Sequence, residues 1–313
     1  MFNPQLPITR FYPKHHMTSP SKTNRSFLLK VIGTLLSAGM LTALIAWSWE
    51  DVVVAINKIS WLELLAAFGF IFASRLFTVL RWHTLLRSGG IPIPLKNSLS
   101  LTFTGLFATN FLPTTIGGDV VRLAGTMQLG YDRAICLASL AADRLVNMTG
   151  MSLASPLGFY QLLQAAPAAA QAAFIPGLWR KGLDFARRTL ASLGIWLKKP
   201  LSLLTSLGFA FAHMLCMFSA NYIVIHALGG ELDFWRVIGL YSFAYFIGNV
   251  PVSVNGYGWQ ELTVSALLGT LGGLDVSIAA TVPLITRLLH MLASLPGALT
   301  LPGILAKMDK SES

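Results

Sequence analysis

Several charged side chains lie within, or close to the ends of, long apolar stretches of the sequence. Those within the stretches are Arg75, Asp143, Arg144 and Arg287, and those close to the ends are Glu63 and Glu261. If such stretches cross a bilayer, each charge at the bilayer centre costs at least about 2.5–3.5 kcal/mol. We therefore expect these residues to face a charged partner or a polar cavity.

The spacing of polar residues predicts two stripes on separate helices. One stripe is Ser139, Asp143 and Asn147, the other is Arg287, His290 and Ser294, and Glu261 shares a face with Ser265. Consecutive residues point about 100° apart on a helix, so Asp143 and Arg144 are not expected to pair with each other. We expect the stripes to line one cavity.

The chemistry that these residues suit best is the binding of a phosphate group, because a guanidinium fork matches phosphate oxygens. The arginines predicted to bind it are Arg144 and Arg287, together with Arg122. The carboxylates of Asp119, Asp143 and Glu261 would orient these arginines or bind an amine headgroup. The alternative is that all of them form structural ion pairs between helices.

Two further residues have simpler interpretations. Arg75 lies near the cytoplasmic end of its predicted span, so we expect its guanidinium to extend to the headgroups. We expect His290 to form a hydrogen bond between packed helices rather than to act as a catalyst.

The composition indicates which elements must position these side chains. Of 313 residues, 54% are hydrophobic and only 12% are charged, against about 25% charged in soluble domains. Stretches of about 20 apolar residues, each long enough to span a membrane, recur along the chain. The predicted spans are 28–48, 60–82, 97–113, 134–160, 201–228, 236–254 and 276–304, with a short piece at 259–272. The predicted fold is all-α, a polytopic membrane protein of about six to eight transmembrane helices.

Basic residues are concentrated between the apolar stretches, and the formal net charge is +10. Their distribution predicts a cytoplasmic basic tail at 1–27, a transmembrane domain at 28–305 and a C-terminal tail at 306–313. The long connection 161–200 is predicted to be a basic cytoplasmic loop, or an amphipathic helix on the inner leaflet. We expect membrane lipids as partners and no nucleic acid.

Two predicted spans end in similar interruptions, in which a proline stops an apolar helix and glycines and an acidic residue follow. The first contains Pro113, Gly117, Gly118 and Asp119, and the second contains Pro251, Asn255, Gly256, Gly258 and Glu261. Proline removes a helix hydrogen bond and glycine permits unwound backbone. The pattern predicts two broken or re-entrant helices, and the assigned orientation makes them an inverted repeat, as in many transporters. Ordinary loops rich in turn residues are the alternative.

An ordered set of motifs resembles the lysylphosphatidylglycerol synthase transmembrane region, also called flippase-like domain proteins, over roughly 28–305. The set is Arg81-Trp82, Leu112-Pro113 to Gly117-Gly118-Asp119 with Arg122, Asp143-Arg144, Asn255-Gly256 to Glu261, and Arg287. The resemblance implies a multi-span protein of the plasma (inner) membrane. In bifunctional members of the family this domain moves an aminoacylated phospholipid between leaflets. One departure is Gln260, where the family often has arginine, so the headgroup bound here is expected to differ.

These observations predict a flippase or transporter of a phosphate-bearing lipid, either a phospholipid or a polyprenyl phosphate, with no cofactor. The chain ends at Ser313 without the synthase domain of the bifunctional relatives, so we expect no aminoacylation of lipid. The sequence contains no phosphate-binding loop motif, so we expect no direct use of ATP. The alternatives are an accessory protein of cell-envelope biosynthesis, with a protein partner, and a lipid-modifying membrane enzyme.

Overall fold

The computed structural model describes residues 53–54, 57–111, 117–165, 198–248 and 258–302, and within these ranges all regular structure is helical. The helices are α1 (Trp61–Ser88), α2 (Leu95–Phe111), α3 (Gly118–Gln128), α4 (Arg133–Ala165), α5 (Pro200–Ala227), α6 (Phe234–Gly248), α7 (Trp259–Thr270) and α8 (Val276–Ser294), followed by a 3₁₀ turn (Leu295–Leu299). The all-α prediction is confirmed for this part of the chain.

Several predictions concern residues outside the described ranges. They are the tail 1–27, the span 28–48, most of the connection 161–200, the tail 306–313, and Pro113, Pro251, Asn255 and Gly256.

Three helices are long and apolar enough to cross a membrane. They are α1, α5 and the segment Val276–Leu299, which is α8 with its 3₁₀ turn. They support a membrane protein, whereas the total of six to eight spans stays a prediction. The helix α4 is also long, with 33 residues, but it carries Asp143 and Arg144 in its interior.

The helix α1 extends six residues beyond its predicted end at residue 82. It begins at the N-cap Ser60, whose side chain accepts from the backbone N–H of Glu63, and it ends at Ser88. The hydropathy falls after Leu80, but Trp82 and Leu85 are fully buried in the extra turns. The predicted end at residue 82 was therefore six residues too early, because helix packing continues beyond the uniformly apolar stretch.

Among the three helices of spanning length, the one that carries Arg287 is the most buried. The helix α1 packs most extensively against α5, and α4 packs against α6. The helix α8 contacts α1, α2, α5 and α7, and most of its residues from Ala279 to Leu289 are buried. Arg287 therefore belongs to a stretch of α8 that is packed against other helices.

The start of α3 lies in close contact with α2 through two glycines. A Cβ added to Gly118 would overlap the backbone carbonyl of Gly105 and the hydroxyl of Thr109. The Thr109 hydroxyl accepts from the backbone N–H of Gly118 at 3.1 Å. A Cβ on Gly117 would meet nothing within 4 Å, so only the second of these two glycines is required by packing.

The series α2–α4 and the series α6–α8 show the same order of helix lengths. In each, a helix of 17 or 15 residues is followed, after an interruption, by a short helix of 11 or 12 residues. A glycine with positive φ then precedes the long helix, Gly130 (83°) in one half and Gly273 (70°) in the other. This similarity agrees with the predicted repeat, and the inverted relation between the halves stays a prediction.

Candidate functional site

Asp143 is the centre of a buried ion-pair network. Its Oδ1 accepts from Nε of Arg81 at 2.7 Å, and its Oδ2 accepts from both terminal nitrogens of Arg122 at 3.2 Å. The three side chains are only 4–9% exposed. One carboxylate therefore compensates two guanidinium groups away from water.

Asp119 extends this network to the surface. Its Oδ1 accepts from Arg122 at 3.1 Å, and its Oδ2 accepts from Nε of Arg144. The Arg144 side chain is 72% exposed, whereas that of Asp119 is 27% exposed. We call Arg81, Asp119, Arg122, Asp143 and Arg144 the first charge cluster; it has three arginines and two carboxylates.

The predicted stripe on α4 faces α1, and each of its members has a partner there. Ser139 accepts from Nε1 of Trp82 at 3.2 Å, and Asn147 accepts from Nη1 of Arg81 at 2.6 Å. The guanidinium carbon of Arg122 lies 4.0 Å from the centre of the Trp82 ring, a cation–π contact. Residues of α4 and Arg122 of α3 therefore both contact the Arg81-Trp82 pair of α1.

The second charge cluster consists of Gln260, Glu261 and Arg287. Glu261 accepts from Nε of Arg287 through Oε1, and from the backbone N–H of Gly258 through Oε2 at 2.8 Å. Gln260 accepts from Nη2 of Arg287 at 3.3 Å. Gly258 has φ of +75°, a conformation that favours glycine. Glu261 thereby connects the start of α7 to the middle of α8.

A cavity of about 60 Å³ lies beside the second charge cluster. It has room for a few water molecules or one small anion. Its wall comes from α5, α6, α7 and α8, and is formed by Asn221, Tyr241, Ala244, Tyr245, Gln260, Glu261, Val264, Pro283, Thr286, Arg287 and His290. The Tyr241 hydroxyl is buried and has no hydrogen-bond partner among the described residues.

Arg75 is in a different place from the one predicted. It is the fifteenth of the 28 residues of α1, so at 1.5 Å per residue it lies about 20 Å from either end of the helix. Its Nε is buried and has no hydrogen-bond partner within the described chain. The expectation that Arg75 lies near an end of its helix was wrong, because α1 extends to Ser88. That its guanidinium reaches the headgroups stays a prediction.

His213 of α5 makes its hydrogen bonds with α1. Its Nδ1 is 3.1 Å from the Ser74 carbonyl oxygen and 3.3 Å from the Thr78 hydroxyl, both on α1. Ser74, Thr78 and Arg81 therefore form a row of polar groups on the side of α1 that contacts α4 and α5.

The predicted site residues are thus divided between two places. Asp119, Arg122, Asp143 and Arg144 belong to the first charge cluster, whereas Glu261 and Arg287 lie at the cavity. The cavity wall includes Arg287 and His290 but no member of the α4 stripe, although both stripes were expected to line one cavity. Asp143 and Arg144 each pair with other residues, as predicted.

Some residues of these clusters were not predicted as site residues. Arg81 lies next to the predicted end of its span at residue 82 and was named only as part of the family motif. The polar residues of α1, Ser74, Thr78 and Arg81, occur at helical spacing, and this signal was present in the sequence. Among the described residues, no three histidine, cysteine or carboxylate side chains are grouped as a metal site requires.

Apolar spanning helices that enclose charged side chains and a polar cavity define a membrane protein with an internal polar site. The model of the family "Lysylphosphatidylglycerol synthase TM region" matches residues 30–183 and 162–297. The chain belongs to this family, which confirms the resemblance. The two matches overlap within the predicted basic connection. No curated protein matches the chain.

Proposed function

We propose that the protein is a flippase that moves a phosphate-bearing lipid between the two leaflets of the plasma membrane. The observation that carries this proposal is the polar cavity beside Arg287, inside a set of helices that includes three of spanning length. A cavity of this kind can accept a headgroup while the acyl chains remain in lipid. Membership of the family supports a role with membrane lipids.

Arg287 is the residue that we assign to the phosphate. Its Nε donates to Glu261 and its Nη2 to Gln260, and its side chain is 17% exposed at the cavity, so its charge borders the space that a headgroup would enter. Glu261 then orients the guanidinium rather than binding substrate, since both of its oxygens already accept hydrogen bonds. The hydroxyls and amides of Tyr245, Gln260 and Asn221 in the wall can accept or donate to the remaining headgroup atoms.

The short helices α3 and α7 are the elements that we propose to move during transport. Each short helix contributes an acidic residue in its first turn to an arginine of the next long helix, Asp119 to Arg144 and Glu261 to Arg287. We propose that the two units are an inverted repeat and that one opens to each leaflet, with the N-terminus of the chain in the cytoplasm.

Transport by the full chain reconstituted into liposomes tests the proposal. The readout is the fraction of a fluorescent phosphatidylglycerol analogue that becomes accessible to a membrane-impermeant quencher. Arg287→Gln is expected to slow translocation about tenfold or more, because charge-assisted hydrogen bonds to the phosphate are lost. The matched control is Arg236→Gln, which removes an exposed arginine of α6 and is expected to leave the rate unchanged. Equal rates for wild type and Arg287→Ala would contradict the proposal.

The same liposomes separate transport from lipid modification. We propose that the chain carries lipid without altering it, so mass spectrometry of the recovered lipids should show only the species that were added. A new lipid species that depends on wild-type protein would instead favour an enzyme.

A further inference from the structure

The helices α1 and α5 pack antiparallel to each other, and this pair defines two ends of the structure. Lys199, the N-cap residue of α5, donates from Nζ to the carbonyl oxygen of Ser88, the last residue of α1, at 2.6 Å. Near the middle of both helices, His213 of α5 contacts Ser74 and Thr78 of α1. Each helix has 28 residues, so at 1.5 Å per residue each is about 42 Å long. A bilayer with its headgroups is about 40–45 Å thick, so both ends of a spanning pair lie at headgroup level.

Five exposed basic residues are brought together where α1 ends, and we call this region the basic end. A hydrogen bond of 2.9 Å between His83 of α1 and Ser98 places the start of α2 beside the last turns of α1. A Cβ on Gly89, which follows α1, would lie 3.3 Å from Cγ2 of Ile135, so the start of α4 is there as well. The five residues are Arg87 in α1, Lys96 at the start of α2, Arg133 at the start of α4, and Lys198 and Lys199 at the start of α5.

The basic end has little compensating negative charge in the part of the chain that the structure describes. Its one described carboxylate belongs to Asp132, whose Oδ1 accepts from the backbone N–H of Ile135 at 2.9 Å and so caps α4. None of the five basic side chains forms an ion pair with a described residue. Five basic groups and one carboxylate therefore leave four positive charges in excess, all on exposed side chains.

The opposite end of the helix pair, where α1 begins and α5 ends, has the reverse excess. A Cβ on Gly230, which follows α5, would lie 3.2 Å from Cδ2 of Leu274, so the start of α8 is at this end too. Acidic residues outnumber basic ones here; they are Glu63, Glu231, Asp233 and Asp275, against Lys58 and Arg236. Five lysines and arginines at one end and two at the other are a division typical of the cytoplasmic and external sides of membrane proteins.

We infer that the basic end faces the cytoplasm and binds the anionic phospholipid headgroups of that leaflet. Its side chains lie at headgroup level, so their ammonium and guanidinium groups can contact phosphate oxygens while they remain in water. Clusters of lysine and arginine beside a spanning helix attract anionic lipids in this way. The inference does not rest on the proposed function, because it requires only that α1 and α5 span the membrane.

The lipid selectivity of the full chain, reconstituted into phosphatidylcholine membranes, tests the inference. The probes are spin-labelled phosphatidylglycerol, which is anionic, and spin-labelled phosphatidylcholine, which has no net charge. Electron spin resonance measures the fraction of each probe that is immobilised at the protein surface. At low ionic strength we expect wild type to favour phosphatidylglycerol by about threefold or more. Equal association of the two probes with wild type would overturn the inference.

Matched double variants separate the basic end from the overall charge of the protein. Lys96→Gln/Arg133→Gln removes two exposed charges from the basic end, and Lys58→Gln/Arg236→Gln removes two from the opposite end. We expect the first variant to reduce the preference for phosphatidylglycerol by about half or more, and the second to leave it unchanged. Lys199 is kept, because its ammonium also connects α5 to α1. The same effect of both variants, or no effect of the first, would overturn the inference.

The dependence on salt separates exposed charges from a buried binding site. The Debye length falls from about 10 Å at 0.1 M salt to about 3 Å at 1 M. The preference of wild type for phosphatidylglycerol should therefore be largely lost at 1 M salt. A preference of the same size at both salt concentrations would indicate a site shielded from solvent and would overturn the inference.

The variant Arg287→Gln distinguishes this inference from the proposed function. It should slow translocation but keep the preference for phosphatidylglycerol, since Arg287 lies at the cavity and not at the basic end. A preference that depends on Lys96 and Arg133, without translocation by wild type, would support the inference and contradict the flippase. Loss of the preference in Arg287→Gln, with Lys96→Gln/Arg133→Gln unaffected, would overturn the inference and assign the lipid to the cavity.

Discussion

Arg287 forms an ion pair with Glu261, the acidic residue in the first turn of the short helix before it, and Arg144 forms the corresponding pair with Asp119. The partners are separated by 26 residues in one half and by 25 in the other. The two pairs differ in their surroundings. The Arg287 side chain is 17% exposed beside the cavity, whereas that of Arg144 is 72% exposed. The two corresponding ion pairs therefore lie in different surroundings: one borders the cavity, and the other is largely exposed.

Neutralising Glu261 is expected to destabilise the protein through Arg287. In Glu261→Gln the guanidinium loses its carboxylate while it remains inside the helices, and removing one partner of a buried pair costs about 3–5 kcal/mol. The lower end of that range applies, because Arg287 borders the cavity. The measurement is thermal unfolding of the purified protein, with Asp119→Asn as the equivalent change at the more exposed pair.

The double variant Glu261→Gln/Arg287→Gln provides a further check of that prediction. With both charges removed, no uncompensated guanidinium remains, so the double variant should be more stable than Glu261→Gln alone. Equal or lower stability of the double variant would show that the pair does not act by compensating charge.

Asp143 is expected to be the most sensitive carboxylate of the first charge cluster. Asp143→Asn leaves both Arg81 and Arg122 without their shared partner, at sites where all three side chains are less than a tenth exposed. We expect a loss of at least about 3–5 kcal/mol. Asp119→Asn should cost less, because Asp119 is 27% exposed and Arg122 keeps Asp143. The measurement is the yield of folded, monodisperse protein together with its Tm, and similar losses for the two variants would contradict the expectation.

The sequence predicted the all-α type of structure and the short helix α7 better than it predicted the ion pairs. Long apolar stretches, interrupted by glycines and followed by an acidic residue, were enough to place α3 and α7. The end of α1 was misplaced because hydropathy decreases at residues that are nevertheless packed, such as Trp82 and Leu85. That error moved Arg81 out of the predicted site.

The pairing of charges depends on tertiary contacts that no spacing along one helix reveals. The α4 stripe correctly indicated a common face for Ser139, Asp143 and Asn147, but their partners are on α1. In the same way, Arg75 has the same residue type and the same apolar neighbours as a snorkelling arginine. Only the full length of α1 shows that Arg75 lies at the middle of the helix, with a buried Nε that has no hydrogen-bond partner among the described residues.

The contact between α2 and α3 predicts different effects of substitution at two adjacent glycines. In Gly118→Ala the new Cβ would overlap the Gly105 carbonyl and the Thr109 hydroxyl, so the helices must separate, at a cost of about 1–3 kcal/mol. In Gly117→Ala the Cβ meets nothing within 4 Å and φ is −59°. That variant should be affected only slightly. Thermal unfolding of both variants checks the difference, and equal Tm values would exclude a close helix contact at Gly118.

The glycine before α7 should be sensitive for a conformational reason rather than a packing one. Gly258 has φ of +75° and donates its N–H to Glu261, so Gly258→Ala would strain the backbone by about 1–3 kcal/mol and move the carboxylate that orients Arg287. We expect a lower Tm and slower lipid translocation. The control is Gly269→Ala in the same helix, where the nearest side-chain atom is 3.8 Å from the new Cβ; alanine should be neutral there, or stabilising by up to about 1 kcal/mol. Gly258→Ala with wild-type Tm and transport would show that Glu261 does not depend on this backbone conformation to position the arginine.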